Sequence, residues 1–461
     1  MRAAGGHGSL TTKRDTRVAV SKGTVLTVKD YEALDFFRGE ELVEDPYPYF
    51  EALRGQCPVQ RERHHDVVMV TGYDEAVQVF NDTDTFSSCT SVTGPFPGFP
   101  VPLEGDDVSE LIERHRDELP MSDQLPTLDP PVHTAHRGLL MKLITPRRLK
   151  ENEGAMWQIA DGLLDTWLQG DEGEFINGFA APFTLRVIAD LLGVPEEDRE
   201  EFADALQHGP PGDGGAIGGT GEKSLAHTPL EYLYGRFTTY IEERRRDPRG
   251  DVLTGLATAT FPDGSTPDVG DAVRVAANLF AAGQETTVRL LGSALRILAE
   301  NPDLQRLLRE ERDRVPNFIE ETLRTDSPIK GDFRLSRVPT TVGGVDIPAG
   351  TTLMVLNGAA NRDPRHFDDA QTFDVGRKNA RHHMAFGRGI HTCPGAPLAR
   401  AEARVAIERL LDRTTDIRIS ERVHGPAGER RYRYIPTYIL RGLTHLQLEF
   451  TVAAEGEGES R

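Results

Sequence analysis

The chain has 461 residues, 38% of them hydrophobic, a mean hydropathy of −0.43 and a formal net charge of −20. So acidic a balance argues against nucleic acid or an anionic membrane surface as partner, and no charge-free apolar run of about 18 residues stands near the N-terminus as an anchor or secretory core. Cys57, Cys89 and Cys393 are too few and too far apart for a disulfide framework, which fits a reducing cytoplasm.

In chain order, residues 1–25, rich in Gly, Lys, Arg and Thr, read as a mobile leader. Residues 26–452 read as one domain and 453–461 as an acidic tail. Val67-Val68-Met69-Val70 has the composition of a short strand. The prolines between Gly94 and Pro102 exclude regular helix and central strand there. Asp129-Pro130-Pro131 signals a helix start, after which His133 and Arg137 fall one turn apart on one face. Helical periodicity dominates 137–206 and 230–325, and the seven glycines between 209 and 221 make a flexible connection. Within the second stretch the largely apolar run from Val269 to Leu298 is too long for a surface helix and should cross the core. Inside it Thr286 can hydrogen-bond back to the carbonyl of Ala282, four residues earlier, opening the helix locally, with Gly283 giving room. Glu321 and Arg324, three apart, share a helix face and can pair. Val342-Gly343-Gly344-Val345 has the form of a hairpin turn beside a strand over Thr352–Leu356, and the last strands lie between Tyr438 and Phe450. The whole is mainly α with a minor β region (α+β).

The segment Phe386-Gly387-Arg388-Gly389-Ile390-His391-Thr392-Cys393-Pro394-Gly395 sets one cysteine between a glycine-rich turn and a helix start. Gly387 and Gly389 permit a tight loop that a flat ring can approach, and Pro394 suits the first turn of the Ala- and Leu-rich helix that follows. A sulfur just before a helix N-terminus meets unpaired N–H groups, which favour thiolate over thiol. Such a thiolate is a haem-iron ligand, and it pushes electron density onto iron in the way O–O cleavage requires. A buried structural cysteine is the commoner fate of a lone Cys, yet packing alone calls for no such ordered set of Phe, Gly, His, Pro and Gly. Zinc or an iron-sulfur cluster would need several nearby ligands, and the other cysteines are distant.

With Ala281-Ala282-Gly283-Gln284-Glu285-Thr286-Thr287, Glu321-Thr322-Leu323-Arg324 and the cysteine loop in this order, the chain from about residue 28 to about 450 resembles the cytochrome P-450 family, soluble bacterial class. The resemblance implies a single domain with haem b between a long distal helix and a proximal loop carrying Cys393 as axial iron ligand. It implies that Glu285 and Thr286 are the acid-alcohol pair delivering protons to bound oxygen. His133, Arg137, Asp332, Arg334 and His391 are then haem-propionate contacts, and Phe386 and Gly395 belong to the haem-binding loop. Glu321 and Arg324 would be the buried structural pair of the proximal side. Its usual third member is an arginine before a Phe, where this chain has Thr372 before Phe373, so Arg377 is the nearest substitute. Phe96, Phe99, Leu279, Ala282 and Phe333 are the candidates for the substrate pocket, with the 94–102 loop facing substrate and the 209–221 segment lying where relatives carry a lid.

The implied activity is that of a cytoplasmic, monomeric monooxygenase inserting one atom of dioxygen into a hydrophobic small molecule, by hydroxylation or epoxidation. Its electrons would come from NAD(P)H through a separate ferredoxin reductase and ferredoxin. Residues 377–404 carry Arg377, Lys378, Arg381, Arg388, Arg400 and Arg404 against Glu402 alone, and residues 133–150 add Arg137, Lys142, Arg147, Arg148 and Lys150 with no carboxylate. That excess suits an acidic ferredoxin on the proximal face. Two alternatives stand beside this reading: a peroxide-using peroxygenase of the same fold, whose kind generally lacks the acid-alcohol pair, and a non-catalytic haem-binding or recruitment protein. Terpenoid, steroid, fatty acid, aromatic and macrolide substrates are all left open.

Overall fold

The computed structural model describes residues 17–19, 31, 33–202, 228–261 and 263–454. The 209–221 segment and nearly all of the leader and tail lie outside these residues. Of the leader, Arg17–Ala19 forms β1, antiparallel to Thr372–Asp374.

Helices surrounding one long central helix make up most of the molecule: α1 (Val132–Leu143), α2 (Pro146–Trp167), α3 (Ala181–Leu192), α4 (Thr228–Arg246), α5 (Val269–Glu300), α6 (Val315–Thr325) and α7 (Ala396–Arg413). The run expected from Val269 to Leu298 is α5. Its start is fixed by Asp268, whose side chain accepts the Asp271 N–H at 2.6 Å, and its end by Asn301-Pro302. Thirty-two residues span about 48 Å, and α3, α4, α6 and α7 all pack on it. From Leu290 to Ala299 every residue is buried, so this half of α5 runs through the core. Its middle carries the small residues Ala282 and Gly283, and there a cavity opens.

The β region is subsidiary. A five-stranded sheet has the order β2 (Val59–Arg61), β3 (Val68–Val70), β9 (Thr352–Val355), β6 (Asp332–Ser336), β4 (Phe86–Ser87), with β3 and β9 parallel and the other pairs antiparallel. The strands β7 (Thr340–Val342) and β8 (Val345–Ile347) form the expected hairpin, with Gly343 and Gly344 at φ +57° and +81°. One departure from helical periodicity falls between α2 and α3, where β5 (Glu172–Glu174) pairs with Gln447–Val452 at the chain's end. Among the described residues no helix is long and apolar enough to cross a membrane.

Strand alternation decides one assignment. In β6, Asp332 and Arg334 line the cavity, so Phe333 between them points to the opposite face. There it is fully buried against Phe37 and Tyr438. Phe96 joins the same aromatic cluster through Phe37, His65 and Tyr438, with Arg38 over its ring. Phe99 packs on a separate cluster containing Cys89, Val108 and Ile112. None of these three phenylalanines lines the cavity, which corrects the expected pocket; Leu279 and Ala282 do line it.

Candidate active site

Two walls face each other across the cavity. One is α5, contributing Leu279, Ala282, Gly283, Thr286 and Thr287; the other is the loop from Phe386 to Gly395 and the first turns of α7. Thr286 Oγ1 donates to the Ala282 carbonyl oxygen at 2.9 Å, the back-bond expected from its position. Glu285, the neighbouring acid, is not brought to the cavity lining. Its carboxylate is paired with Arg289 at 2.9 Å, and Arg289 is itself tied to the Leu443 carbonyl.

The cysteine loop is built by its glycines. Gly387 and Gly389 have φ +65° and +70°, and a Cβ on Gly389 would lie 2.5 Å from the Phe80 carbonyl oxygen, so only glycine fits. The Cys393 N–H donates to the Phe386 carbonyl at 2.8 Å, folding the loop back on itself. Burial pushes the Cys393 thiol up, while the N–H groups of Gly395 and Ala396 and the Arg137 guanidinium pull it down. Helix-end N–H groups alone therefore do not hold a bare thiolate in this buried position; a cation at the sulfur would. Cys89 is buried with its thiol pushed up to about 11, and neither it nor Cys57 reaches the cavity.

At the cavity edge stand Arg137, Arg334 and His391, drawn from α1, β6 and the cysteine loop; His133 of α1 is not in the lining and lies against the His391 ring. Arg137 donates to the Thr392 carbonyl, and Arg334 Nη1 to the Phe333 carbonyl at 2.6 Å. Neither arginine forms an ion pair with a carboxylate among the described residues. The His133 ring is 1% exposed, neither of its nitrogens has a hydrogen-bond partner, and it lies 4.0 Å from the His391 ring. Burial, then Arg137, lowers His133 to about 4; burial, then Arg334, likewise lowers His391, whose Nε2 meets Ser88 Oγ at 3.1 Å. Asp332 is held by Asn357 Nδ2 at 2.7 Å. A buried guanidinium on Arg334 and a half-buried one on Arg137, neither in an ion pair among the described residues, fit an acidic group entering from the cavity. Together with an apolar slot between α5 and a lone thiol, they fit haem with its two propionates.

Behind the loop, Glu321 and Arg324 are both fully buried and paired at 2.7 Å, and the third partner is Arg377, 2.9 Å from the Glu321 carboxylate. Arg377 also reaches the carbonyls of Asp368 and Thr372, which replaces the arginine absent at Thr372. Glu320, one residue earlier, holds His383 at 3.0 Å and Arg400 at 2.6 Å, and Arg400 lies over the Phe386 ring.

Cavity residues that the sequence does not single out include Asn278 and Glu402. Asn278 lies two turns before Thr286 on the same helical face, a spacing that could have revealed it. Glu402 interrupts the apolar stripe Leu398, Val405, Ala406 of α7. It is 1% exposed, neither carboxylate oxygen meets hydrogen-bond geometry, and burial pushes its pKa up to about 8, with the facing Thr287 hydroxyl only partly offsetting it.

Fold and cavity together define a class: mainly helical oxidoreductases that enclose a flat acidic cofactor beside a single cysteine. The Cytochrome P450 family model matches residues 241–415. The chain is 32% identical to Cytochrome P450 144 of Mycobacterium tuberculosis, covering 94% of this chain and 95% of that one. It is also 32% identical to 6-deoxyerythronolide B hydroxylase of Saccharopolyspora erythraea, covering 91% and 98%. The solved structure of the substrate-free cytochrome P450 CYP150A6 of Mycobacterium marinum superposes with a TM-score of 0.86 at 55% identity, covering 92% of this chain and all of that one. The protein belongs to the cytochrome P450 monooxygenase family, and membership implies haem and the use of dioxygen.

Proposed function

We propose that this protein is a haem b monooxygenase that inserts one atom of dioxygen into a C–H or C=C bond of a hydrophobic small molecule. The observation that carries the reading is the Thr286–Ala282 hydrogen bond on the α5 wall facing Cys393 across the same cavity. Cys393 would be the protein's iron ligand, cradled by Phe386 and Gly395. Arg137 and Arg334 would take the propionates, with His133 and His391 as hydrogen-bond donors and Asp332 a further contact on the same strand face as Arg334. Haem bound there supplies an iron centre that binds and reductively activates dioxygen.

The chain's own residues then position substrate, exclude water and move protons. The Thr286 hydroxyl, now donating to Ala282, can turn into the cavity and hand its proton on, refilled from outside. Glu285 can refill it only by leaving Arg289, so this pair gates the acid. The apolar wall of Leu279, Ala282 and Ile329 holds a hydrophobic substrate against α5. Retention of Thr286 beside Cys393 favours this chemistry over peroxide use or a haem-binding role without catalysis.

Electrons would pass indirectly from NAD(P)H through a reductase and an acidic ferredoxin, the usual partners of bacterial members. The basic surface for that docking is narrower than the sequence suggests. Arg377 is buried on Glu321, Arg400 is held by Glu320, and Arg404 is shared by Glu153 and Glu408. The exposed cations are Lys142, Arg147, Lys150, Lys378, Arg381 and Arg388. To test the assignment, the reduced protein is exposed to carbon monoxide: a strongly red-shifted Soret band is expected, retained in Cys57→Ser and Cys89→Ser and lost in Cys393→His. An unchanged band in the Cys393 variant would sink it.

A further inference from the structure

Behind the cysteine loop lies a charge cluster that neither proton delivery nor the propionate contacts use. Its centre is the buried carboxylate of Glu320 on α6. Arg400 of α7 grips it with two bonds, Nε to one oxygen at 2.6 Å and Nη2 to the other at 3.0 Å. His383 Nε2 meets it at 3.0 Å, and the exposed Arg381 comes to 3.6 Å. The His383 Nδ1 accepts the Ala385 N–H at 3.1 Å, so the ring proton is on Nε2 and is donated to Glu320. The imidazole therefore adds no charge. What remains close to the loop is one anion, Glu320, against one cation, Arg400.

That cation ends on the loop. The Arg400 guanidinium carbon stands 4.6 Å from the centre of the Phe386 ring, and the His383 ring is 5.7 Å from the same ring. The Phe386 carbonyl in turn takes the Cys393 N–H at 2.8 Å. Glu320 thus anchors both groups that touch Phe386 and offsets the charge of one of them. Neither Glu320 nor Arg400 lines the cavity. Partly buried charges are screened less than exposed ones, so their field reaches the centre that the loop holds. An electron added there is favoured by a nearby cation and opposed by a nearby anion. Resting on the reading that Cys393 ligates haem iron, we propose that Glu320 is a positioning residue that holds Arg400 against Phe386, and that this pair sets the haem reduction potential through opposing charges.

The test uses the haem-loaded full chain and reads the ferric–ferrous midpoint potential by spectroelectrochemistry without substrate, the ferric Soret band showing that the spin state is the same in every variant. Glu320→Gln leaves the guanidinium unopposed and should favour the ferrous form about tenfold, a rise of about 59 mV for a one-electron couple. Arg400→Met should disfavour it and move the potential the other way. The double variant should return close to wild type, because the two charges cancel. Arg400→Lys keeps the charge without the two-bond grip and should fall between wild type and Arg400→Met. Loosened packing alone would move both single variants in one direction and add in the double. Single variants that shift the same way, or that leave the potential unchanged, overturn the proposal. Should Glu320→Gln take up no haem, the arginine variants decide: a fall in Arg400→Met that Arg400→Lys partly restores supports the pair, and any other pattern overturns it. Failure of the haem-thiolate reading would appear elsewhere, as a red-shifted carbon monoxide band that persists in Cys393→His.

Discussion

Replacing Glu402 by glutamine should remove a pH dependence of stability that can be sized from the structure. Glu402 is 1% exposed, makes no ion pair among the described residues, and burial lifts its pKa to about 8 from an ordinary 4.5. Folding near neutral pH therefore takes up a proton. A carboxyl whose folded pKa exceeds its unfolded one contributes fully below the unfolded value, and that contribution is lost as pH rises towards the folded one. The slope is about 1.4 kcal/mol per pH unit within that window. Glutamine has the same shape and no such slope. Measured by urea unfolding of the haem-loaded protein at matched ionic strength, the stability of Glu402→Gln minus that of the wild type should grow by about 2.7 kcal/mol between about pH 5.5 and about pH 7.5. Taking the difference cancels the other titrating groups. Equal differences at the two pH values would mean that the carboxyl ionises freely in the folded protein, and the account of its burial would be wrong.

Thr286→Ala should still bind haem and substrate and consume reduced cofactor, yet divert more electrons to peroxide; unchanged coupling of electron use to product would remove Thr286 from proton delivery. Arg377→Ala leaves Glu321 short of one of its two buried cations and should cost about 3–5 kcal/mol in urea unfolding, whereas a loss under 1 kcal/mol would show that Arg324 alone satisfies the carboxylate. Arg147→Glu with Lys150→Glu, both at exposed positions, should slow reduction by an acidic ferredoxin in stopped-flow measurements, most at low salt, with haem binding intact. Rates that ignore both salt and charge reversal would place the donor elsewhere.

Local sequence chemistry made the cysteine loop legible. Two glycines at positive φ, a proline at a helix start and a threonine four residues after an accepting carbonyl act through the backbone within a few residues. Their effect can be read without knowing what lies opposite. The long apolar run of α5 and the Gly343-Gly344 turn were legible for the same reason. Phe96, Phe99 and Phe333 were not: an aromatic side chain packs equally well in a core or a pocket, and only the sheet's alternation and the neighbouring Phe37 and Tyr438 chose between them.

The sequence by itself determined the mainly helical fold, the cysteine with its loop, the distal threonine and the pairing of Glu321 with Arg324, because each depends on spacing along one segment. Tertiary structure decided which charges are spent internally and which side chains meet the cavity. It gave Glu321 its second cation in Arg377, neutralised Arg400 and Arg404, tied Glu285 to Arg289, and brought Asn278 and Glu402 to the cavity. The physical reason is that burial and ion pairing are properties of surfaces brought together from distant segments. A residue's charge is written in the chain, but its partner and its solvent are set only when α5, α7 and the cysteine loop close around the same space.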